Sequence, residues 1–137
     1  MTLVEFEQLL PTLARRYPSL LVDRVDECVP GRSARGHKAV TVNEHYFQGH
    51  FPGYPVMPGV LVLEALVQLS LLLAASSGQP MPTAIRSLND VRFKRQVTPG
   101  DRLVLETTMQ PDGRFDVRAS VDGEIATEAT IVLGVDP

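Results

Sequence analysis

Glu64 is the residue whose type and surroundings point most directly to chemistry, because it interrupts an apolar segment that runs from Val60 to Ala75. Burial disfavours the charged form of a carboxyl group, which suits a side chain that must hold a proton near neutral pH and hand it on. Gln68 follows four residues later, within reach of that carboxyl if the segment is helical. The alternative is a structural glutamate that pairs with an arginine or with backbone groups.

His50 is the candidate for a general base. It lies in the segment 49–53, Gly-His-Phe-Pro-Gly, where glycine and proline restrict the backbone and hold the imidazole at low entropic cost. An imidazole titrates near neutrality, so it can accept a proton from a substrate. The alternative for His50 is a structural role or a position on the surface in contact with water. For His37 and His45 we expect such a structural or surface role.

Gly59 lies at the expected start of the apolar helix. The first backbone N–H groups of a helix have no intrahelical acceptor, and the helix dipole is positive there. A residue without a side chain lets a substrate carbonyl approach its N–H, so Gly59 is a candidate oxyanion-binding group. A glycine that merely saves space at a helix start explains the same residue equally well.

These residues must be positioned by a small number of elements. The segment from Val60 to Ser77 contains neither Gly nor Pro and is bounded by Pro58 and Gly78, as is typical of helix ends. Because it is apolar on all sides, other structure must surround it. A short amphipathic helix is expected between Thr2 and Pro11. Alternating apolar residues predict six strands, over 19–29, 33–42, 84–97, 102–109, 114–121 and 124–135.

The turns between these strands are short, and Asp122-Gly123 has the composition of a two-residue type I′ hairpin loop. Antiparallel neighbours are therefore expected. One long buried helix with about six strands predicts an α+β domain in which a curved antiparallel sheet wraps the helix. A single sheet covers only part of such a helix, so we also expect a partner subunit.

Composition narrows the classes of function. The chain has 137 residues, a net charge of -3 and one cysteine, Cys28. This length predicts a single domain over residues 1–137. A lone cysteine excludes an internal disulfide and any multi-cysteine metal site, and the scattered charges argue against nucleic-acid binding. The acidic start is unlike a signal peptide, and the apolar segment is shorter than a bilayer crossing, so we expect a cytoplasmic protein without a membrane span.

The central motif resembles the FabZ-type 3-hydroxyacyl-[acyl-carrier-protein] dehydratases. The similarity begins at Phe47-Gln48-Gly49-His50-Phe51-Pro52-Gly53 and continues through Pro55-Val56-Met57-Pro58-Gly59-Val60-Leu61 to Glu64 and Gln68. It extends to residues 16–18, 20–25, 91–95 and 99–101, and therefore spans most of the chain.

The resemblance implies a hot-dog fold that assembles as homodimers, with trimers of dimers as a further assembly. It implies that His50 and Glu64 are the catalytic residues and that Gly59 binds the substrate carbonyl. The implied reaction removes water from a (3R)-3-hydroxyacyl thioester to give the trans-2-enoyl thioester, in fatty-acid synthesis or a related polyketide or polyene pathway. The substrate is carried on the phosphopantetheine of acyl carrier protein, and neither a metal nor an organic cofactor is required.

Carrier recognition in the family relies on basic groups near the mouth of the substrate tunnel. Arg92, Lys94 and Arg95 are the candidates here, although a solvated, charged strand face accounts for the same residues. Arg15 and Tyr54 depart from the family pattern, and both lie outside the catalytic residues.

Two other functions remain compatible with such a fold, because a fold alone does not determine function. One is a non-catalytic hot-dog subunit that binds acyl chains or acts as a scaffold. The other is a hot-dog acyl thioesterase, in which the carboxylate would activate water toward the carbonyl carbon.

Overall fold

The computed structural model of the chain describes residues 20–44, 55–78, 82 and 84–134. One helix and six strands lie within these ranges. In chain order they are β1 (Arg24–Val29), β2 (Ser33–Ala39), α1 (Gly59–Ser76), β3 (Ala84–Phe93), β4 (Arg102–Met109), β5 (Phe115–Val121) and β6 (Glu124–Gly134). The helix expected between Thr2 and Pro11 lies outside the described residues.

All six strands form one antiparallel sheet in the order β1-β2-β4-β5-β6-β3. Residues of β5 alternate between the two faces, with Phe115, Val117, Ala119 and Val121 buried and the residues between them exposed or half-buried. An antiparallel sheet with one buried face produces this alternation. The buried face packs against α1, mainly through β2, β4, β5 and β6, which confirms the predicted α+β arrangement.

Helix α1 forms the centre of the core. It begins after Pro58 and ends before Gly78, whose φ of 82° is the left-handed conformation in which glycine is favoured. Leu66, Leu69, Leu72 and Leu73 are completely buried. By length and composition alone this helix could cross a membrane, but the sheet buries most of it, as expected for the core helix of a folded domain.

The sheet covers the start of α1 less completely than the rest. Val60 is 69% exposed, and Leu61 and Glu64 are only half-buried. The expected wrapping of the helix is therefore incomplete within this chain, and the incompletely covered turn is the one that carries the chemically interesting residues.

The turn between β5 and β6 has the predicted hairpin geometry. Asp122 and Gly123 both have positive φ, 50° and 81°, and Val121 pairs with Glu124 across the turn. Positive φ at both central residues defines the type I′ turn and explains the Asp-Gly sequence.

Strand β3 is shorter than its alternation predicts, because it ends at Phe93 instead of Val97. Beyond Phe93 the chain leaves the regular ladder with β6: the N–H of Lys94 still donates to Ala126 O, at 2.7 Å, while Val97 O accepts from Met57 N, at 2.8 Å. Residue 97 therefore pairs with the segment that leads into α1. The apolar side chain of Val97 remains buried, so the alternation reports burial correctly but not the end of the strand.

Replacement of a core leucine in α1 tests this account of the core. Leu72→Ala should lower the free energy of unfolding by about 2–5 kcal/mol, because it leaves a cavity between helix and sheet. Val42 is two-thirds exposed, so the control Val42→Ala should change that free energy by no more than about 0.5 kcal/mol. Urea titration followed by circular dichroism measures both variants, and equal losses would contradict the assignment of Leu72 to the core.

Candidate active site

The start of α1 leaves backbone donors without partners. Pro58 occupies the N-cap position, and no side chain caps the helix. Pro58 O accepts from the N–H groups of Leu61 and Val62, at 2.9 and 3.3 Å. Among the described residues no acceptor binds the N–H of Gly59. This N–H is therefore available to an oxygen atom from outside the chain, as an oxyanion-binding role requires.

Gly59 also has a packing reason to be glycine. A Cβ atom at this position would lie 2.6 Å from Cε1 of Phe93, well inside van der Waals contact. The aromatic ring of Phe93 thus lies directly against the first turn of α1. The absence of a side chain at Gly59 is explained by this contact, so the carbonyl-binding prediction depends on the N–H group alone.

Glu64 and Gln68 lie on the same face of α1, one helical turn apart. The Nε2 group of Gln68 donates to Oε1 of Glu64 over 3.0 Å, which is the hydrogen bond that their spacing predicts. The carboxyl group is half-buried, whereas the apolar surroundings in the sequence predict a more complete burial. The incomplete cover at the helix start accounts for the difference, and it leaves Glu64 accessible to a substrate.

Gln68 is completely buried, and its orientation is determined by the main chain. The N–H of Leu21 donates to Oε1 of Gln68 over 2.8 Å. Since a backbone N–H requires an acceptor, the oxygen of the amide faces Leu21 and the NH₂ group must face Glu64. The side chain therefore links the segment before β1 to the carboxyl group. No sequence pattern indicates the participation of Leu21, because its main-chain N–H supplies the contact.

His50 and His45 lie outside the described residues, so the position of the expected general base relative to Glu64 stays a prediction. His37 lies on β2, where its Nδ1 atom is 2.8 Å from Oδ2 of Asp26 and 3.2 Å from Nη2 of Arg102. This setting on the sheet agrees with the structural or surface role expected for His37.

An apolar groove of about 340 Å³ lies beside the start of α1. Its lining includes Gly59, Val60, Phe93 and Val97, with Arg95 as a charged residue. In the sequence, Phe93 is distinguished only as one residue of a charged strand. The alternation of Phe93 with basic residues does not indicate that its ring faces the start of α1, because that contact depends on the bend at the end of β3.

The three candidate carrier-binding residues have different surroundings. Lys94 Nζ pairs with Glu128 at 3.0 Å, and Arg95 Nη1 pairs with Glu124 at 3.2 Å. Arg92 is exposed, and within the described part of the chain no carboxylate lies within ion-pair distance of it. Two of the three charges are therefore balanced inside the protein, and Arg92 is the basic side chain most available to an acidic partner.

Cys28 lacks the setting of a nucleophile. Partial burial raises the pKa of its thiol above the ordinary value, so little thiolate forms at neutral pH. The described residues also contain no group of three or more His, Cys, Asp or Glu side chains arranged to bind a metal ion.

The chain is similar to proteins of known activity over nearly its whole length. Residues 13–130 match the family model of the FabA-like domain. The 3-hydroxyacyl-[acyl-carrier-protein] dehydratase FabZ of Polynucleobacter necessarius subsp. necessarius (strain STIR1) is 44% identical over 96% of this chain and 93% of its own. The protein of the same name from Bacillus pumilus (strain SAFR-032) is 42% identical over 98% of both chains.

Solved structures with lower identity resemble the fold. Cj0977, a sigma28-regulated virulence protein from Campylobacter jejuni, is 16% identical with a TM-score of 0.71, over 98% of this chain and 89% of its own. The dehydratase heterocomplex ApeI:P from Xenorhabdus doucetiae contains a chain that is 20% identical with a TM-score of 0.66, over 84% of this chain and 97% of its own. At these identities the likeness concerns the fold alone, and it confirms the hot-dog arrangement.

Loss of the hydrogen bonds that the Gln68 amide makes with Leu21 and Glu64 should destabilise the protein. Gln68→Met keeps the length and burial of the side chain but leaves the N–H of Leu21 unsatisfied, so the free energy of unfolding should fall by about 1–3 kcal/mol. The control is Gln110→Met, because Gln110 donates to Asp116 at an exposed position where water can replace it, with an expected change within about 0.5 kcal/mol. Urea titration measures the free energy of unfolding of both variants. An unchanged value in Gln68→Met would contradict the hydrogen bond between the Leu21 N–H and Gln68.

Proposed function

The chain belongs to the FabZ family of 3-hydroxyacyl-[acyl-carrier-protein] dehydratases, and we propose that it performs this elimination with Glu64 as proton donor, His50 as base and the Gly59 N–H as carbonyl-binding group. It is a hydro-lyase of fatty-acid synthesis. Within the structure, the observation that carries the assignment of roles is the hydrogen bond from Gln68 to Glu64, because it holds an accessible carboxyl group beside a helix start with an unpaired N–H.

The reaction needs one base, one acid and one oxyanion donor. The C2 proton of the thioester is weakly acidic until the carbonyl is polarised, and the 3-hydroxyl group leaves poorly until it is protonated. His50 takes the C2 proton, and the electron pair of that C–H bond forms the C2–C3 double bond. The C3–O bond breaks, and the hydroxyl group takes a proton from Glu64 and departs as water. These proton transfers complete the reaction without a metal or an organic cofactor.

The surroundings of Glu64 support its role as acid. Its carboxyl group is half-buried at the start of α1, where a substrate can reach it. Gln68 donates to Oε1 and thereby orients the carboxyl group that gives its proton to the leaving hydroxyl group. Since Leu21 fixes the amide of Gln68, the carboxyl group is oriented before substrate binds, which reduces the entropic cost of the reaction.

The start of the helix supports the oxyanion role of Gly59. In the transition state negative charge develops on the thioester oxygen, and a preorganised N–H at a helix N-terminus stabilises this charge. The apolar groove beside Gly59 and Phe93 supplies a surface for the acyl chain. The substrate is then a (3R)-3-hydroxyacyl chain carried by the phosphopantetheine of acyl carrier protein in the cytoplasm, with exposed Arg92 as the contact to that acidic partner.

The two rival functions differ from the dehydratase in their products. A thioesterase releases a free thiol from an acyl thioester, whereas an acyl-binding or scaffold subunit leaves the thioester unchanged. Incubation with a 3-hydroxyacyl and an enoyl thioester distinguishes the three, because only a dehydratase interconverts them. Interconversion is favoured by the oriented Glu64 and by the Gly59 N–H, which has no acceptor among the described residues.

The exposed apolar residues support a homodimer as the active assembly. Strand β3 forms one edge of the sheet, and Ile85, Leu88 and Phe93 on this strand are exposed, as is Val60 at the start of α1. An exposed apolar strand at a sheet edge is a template for pairing with another chain. A partner at β3 would also cover the start of α1. The family resemblance implies that each active site then combines Glu64 of one chain with His50 of the other. Trimers of these dimers are a further assembly.

Removal of the acidic proton should stop turnover without loss of fold. Glu64→Gln keeps the size and hydrogen bonding of the side chain but cannot donate an acidic proton, so kcat should fall by about 100-fold or more. Cys28→Ser is the control and should stay within about twofold of the unmodified chain, because the mechanism uses no nucleophile. Enoyl-thioester formation measures both, and a loss below about tenfold in folded Glu64→Gln would show that Glu64 is not the general acid.

Two inactive variants should restore activity when they share a dimer. A mixed dimer of His50→Ala and Glu64→Ala chains has one site with both lesions and one with neither, because a two-fold dimer has two equivalent sites. After joint unfolding and refolding, half of the dimers are mixed, so about a quarter of the original activity should return. Enoyl-thioester formation gives the activity and mass spectrometry the subunit exchange; exchange without recovery would place both residues in one chain's site.

A further inference from the structure

Lys38 is the only charged side chain that is buried among the residues that the structure describes. It lies on β2 at an inward-facing position, in phase with Ala34 and Gly36, and is 4% exposed. Lysine is almost never fully buried unless it is paired. An apolar residue would fill an inward position on a strand without the cost of removing an ammonium group from water, so the charge at this position requires a specific explanation.

The ammonium group of Lys38 contacts two carboxylates from different parts of the chain. Its Nζ atom lies 3.0 Å from Oε1 of Glu44 and 3.8 Å from Oδ1 of Asp23. Asp23 is bound to the same strand by two further hydrogen bonds. Its Oδ2 atom accepts from the N–H of Ala39 over 2.8 Å, and its own N–H donates to His37 O over 3.0 Å. Asp23 is thus bound to the residues on both sides of Lys38, through its carboxylate to Ala39 and through its main-chain N–H to His37.

The contact with Asp23 leads to the proposed acid. Leu21 lies two residues before Asp23, and its N–H orients the amide of Gln68, which in turn donates to Glu64. Leu21 and the next residue, Val22, are buried and have little freedom to rearrange. The attachment of Asp23 to β2 therefore determines where the Leu21 N–H meets Gln68.

The contact with Glu44 holds the ammonium group in place. The N–H of Glu44 donates to Thr41 O over 3.3 Å, which closes a turn after β2. The side chain of Glu44 is only 16% exposed, so its ion pair with Lys38 is shielded from water. Glu44 therefore anchors the Nζ atom of Lys38 next to Asp23.

We infer that Lys38 is a positioning residue of the dehydration reaction, whose ammonium group, anchored by Glu44, holds Asp23 and so places the Leu21 N–H that orients Gln68 and Glu64. This inference rests on the proposed function. Stability alone does not account for the lysine, because the desolvation of a buried ion pair offsets much of its attraction, and apolar replacements of such pairs are often neutral or stabilising. A shift of about 1 Å in the position of the acid relative to the substrate, in contrast, can lower turnover by about 100-fold.

The test separates loss of alignment from loss of stability. Lys38→Met removes the ammonium group and leaves the carboxylate of Glu44 without its partner, so this variant should lose both thermal stability and turnover. The double variant Lys38→Met/Glu44→Gln removes both charges of the pair and should recover thermal stability. Lys38→Arg keeps the charge and the donor. Arg35→Met is the matched control, because Arg35 lies on the same strand in an exposed pair with Glu27, at 3.3 Å.

Each variant is assayed with crotonyl-coenzyme A, whose hydration is the reverse reaction and requires no carrier protein. We expect the double variant to unfold within a few degrees of the unmodified chain and to keep KM within about twofold, while kcat falls by about tenfold or more. Lys38→Arg should recover a substantial part of kcat, and Arg35→Met should match the unmodified chain in both constants.

A double variant with restored kcat would overturn the inference, since Lys38 would then serve stability alone. If Lys38→Met does not fold, the double variant and Lys38→Arg decide the question by the same criteria. The failure of the proposed function is recognised separately. In that case the unmodified chain itself would not hydrate crotonyl-coenzyme A, and the assignment of Lys38 would fall together with the function.

Discussion

The burial of α1 inside a curved antiparallel sheet is the constraint on which the other features of this protein depend. A helix that is apolar on all sides must be surrounded, and α1 is buried along most of its length but less completely at its first turns. Polar chemistry is possible only where this cover is incomplete, because a buried carboxylate without partners is costly. Glu64 lies at the edge of the cover, next to backbone N–H groups that the helix cannot satisfy. The location of the site therefore follows from the packing of the core.

The apolar core also restricts the side chains around Glu64 to one arrangement. Each polar side chain that enters it must find hydrogen-bond partners, and such satisfied networks specify one geometry. Gln68 meets this requirement with the N–H of Leu21 and the carboxyl group of Glu64. Further along the helix, Ser70 donates to Leu66 O and contacts the hydroxyl group of Thr107. The orientation of the proposed acid is thus a consequence of hydrogen-bond satisfaction inside the core.

The edge strand β3 contributes both to the groove at the start of α1 and to the surface on which a partner chain could pair. The Phe93 ring lies against Gly59, yet it remains 55% exposed within one chain. A residue that shapes the groove at the helix start is therefore itself incompletely covered. A partner chain on this edge would bury the ring and complete the groove in one step, which explains why an active site that combines two chains suits this topology. In the proposed mechanism, Gly59 serves both the packing of Phe93 and the binding of the substrate carbonyl.

The features that the sequence by itself determined depend on neighbouring residues. Pro58 and Gly78 bound the helix, Asp122-Gly123 forms the hairpin turn through positive φ at both residues, and the spacing of four residues brings Gln68 to Glu64. Short-range geometry decides each of these. The family motif extends this range, because it predicts His50, Glu64 and Gly59 as site residues although they are separated in the chain. Strand alternation likewise predicted the six strands and the buried face of the sheet.

Only the tertiary structure decided which distant groups meet. The N–H of Leu21 reaches Gln68 across 47 residues, and β3 ends early because Val97 pairs with Met57 instead of continuing the ladder. Lys94 and Arg95 look like a free basic patch in the sequence, but Glu128 and Glu124 balance their charges. Lys38 likewise gains its two carboxylates from separate segments. Periodicity reports which side of an element is buried, but it does not specify the partner, because the partner depends on how the whole chain folds.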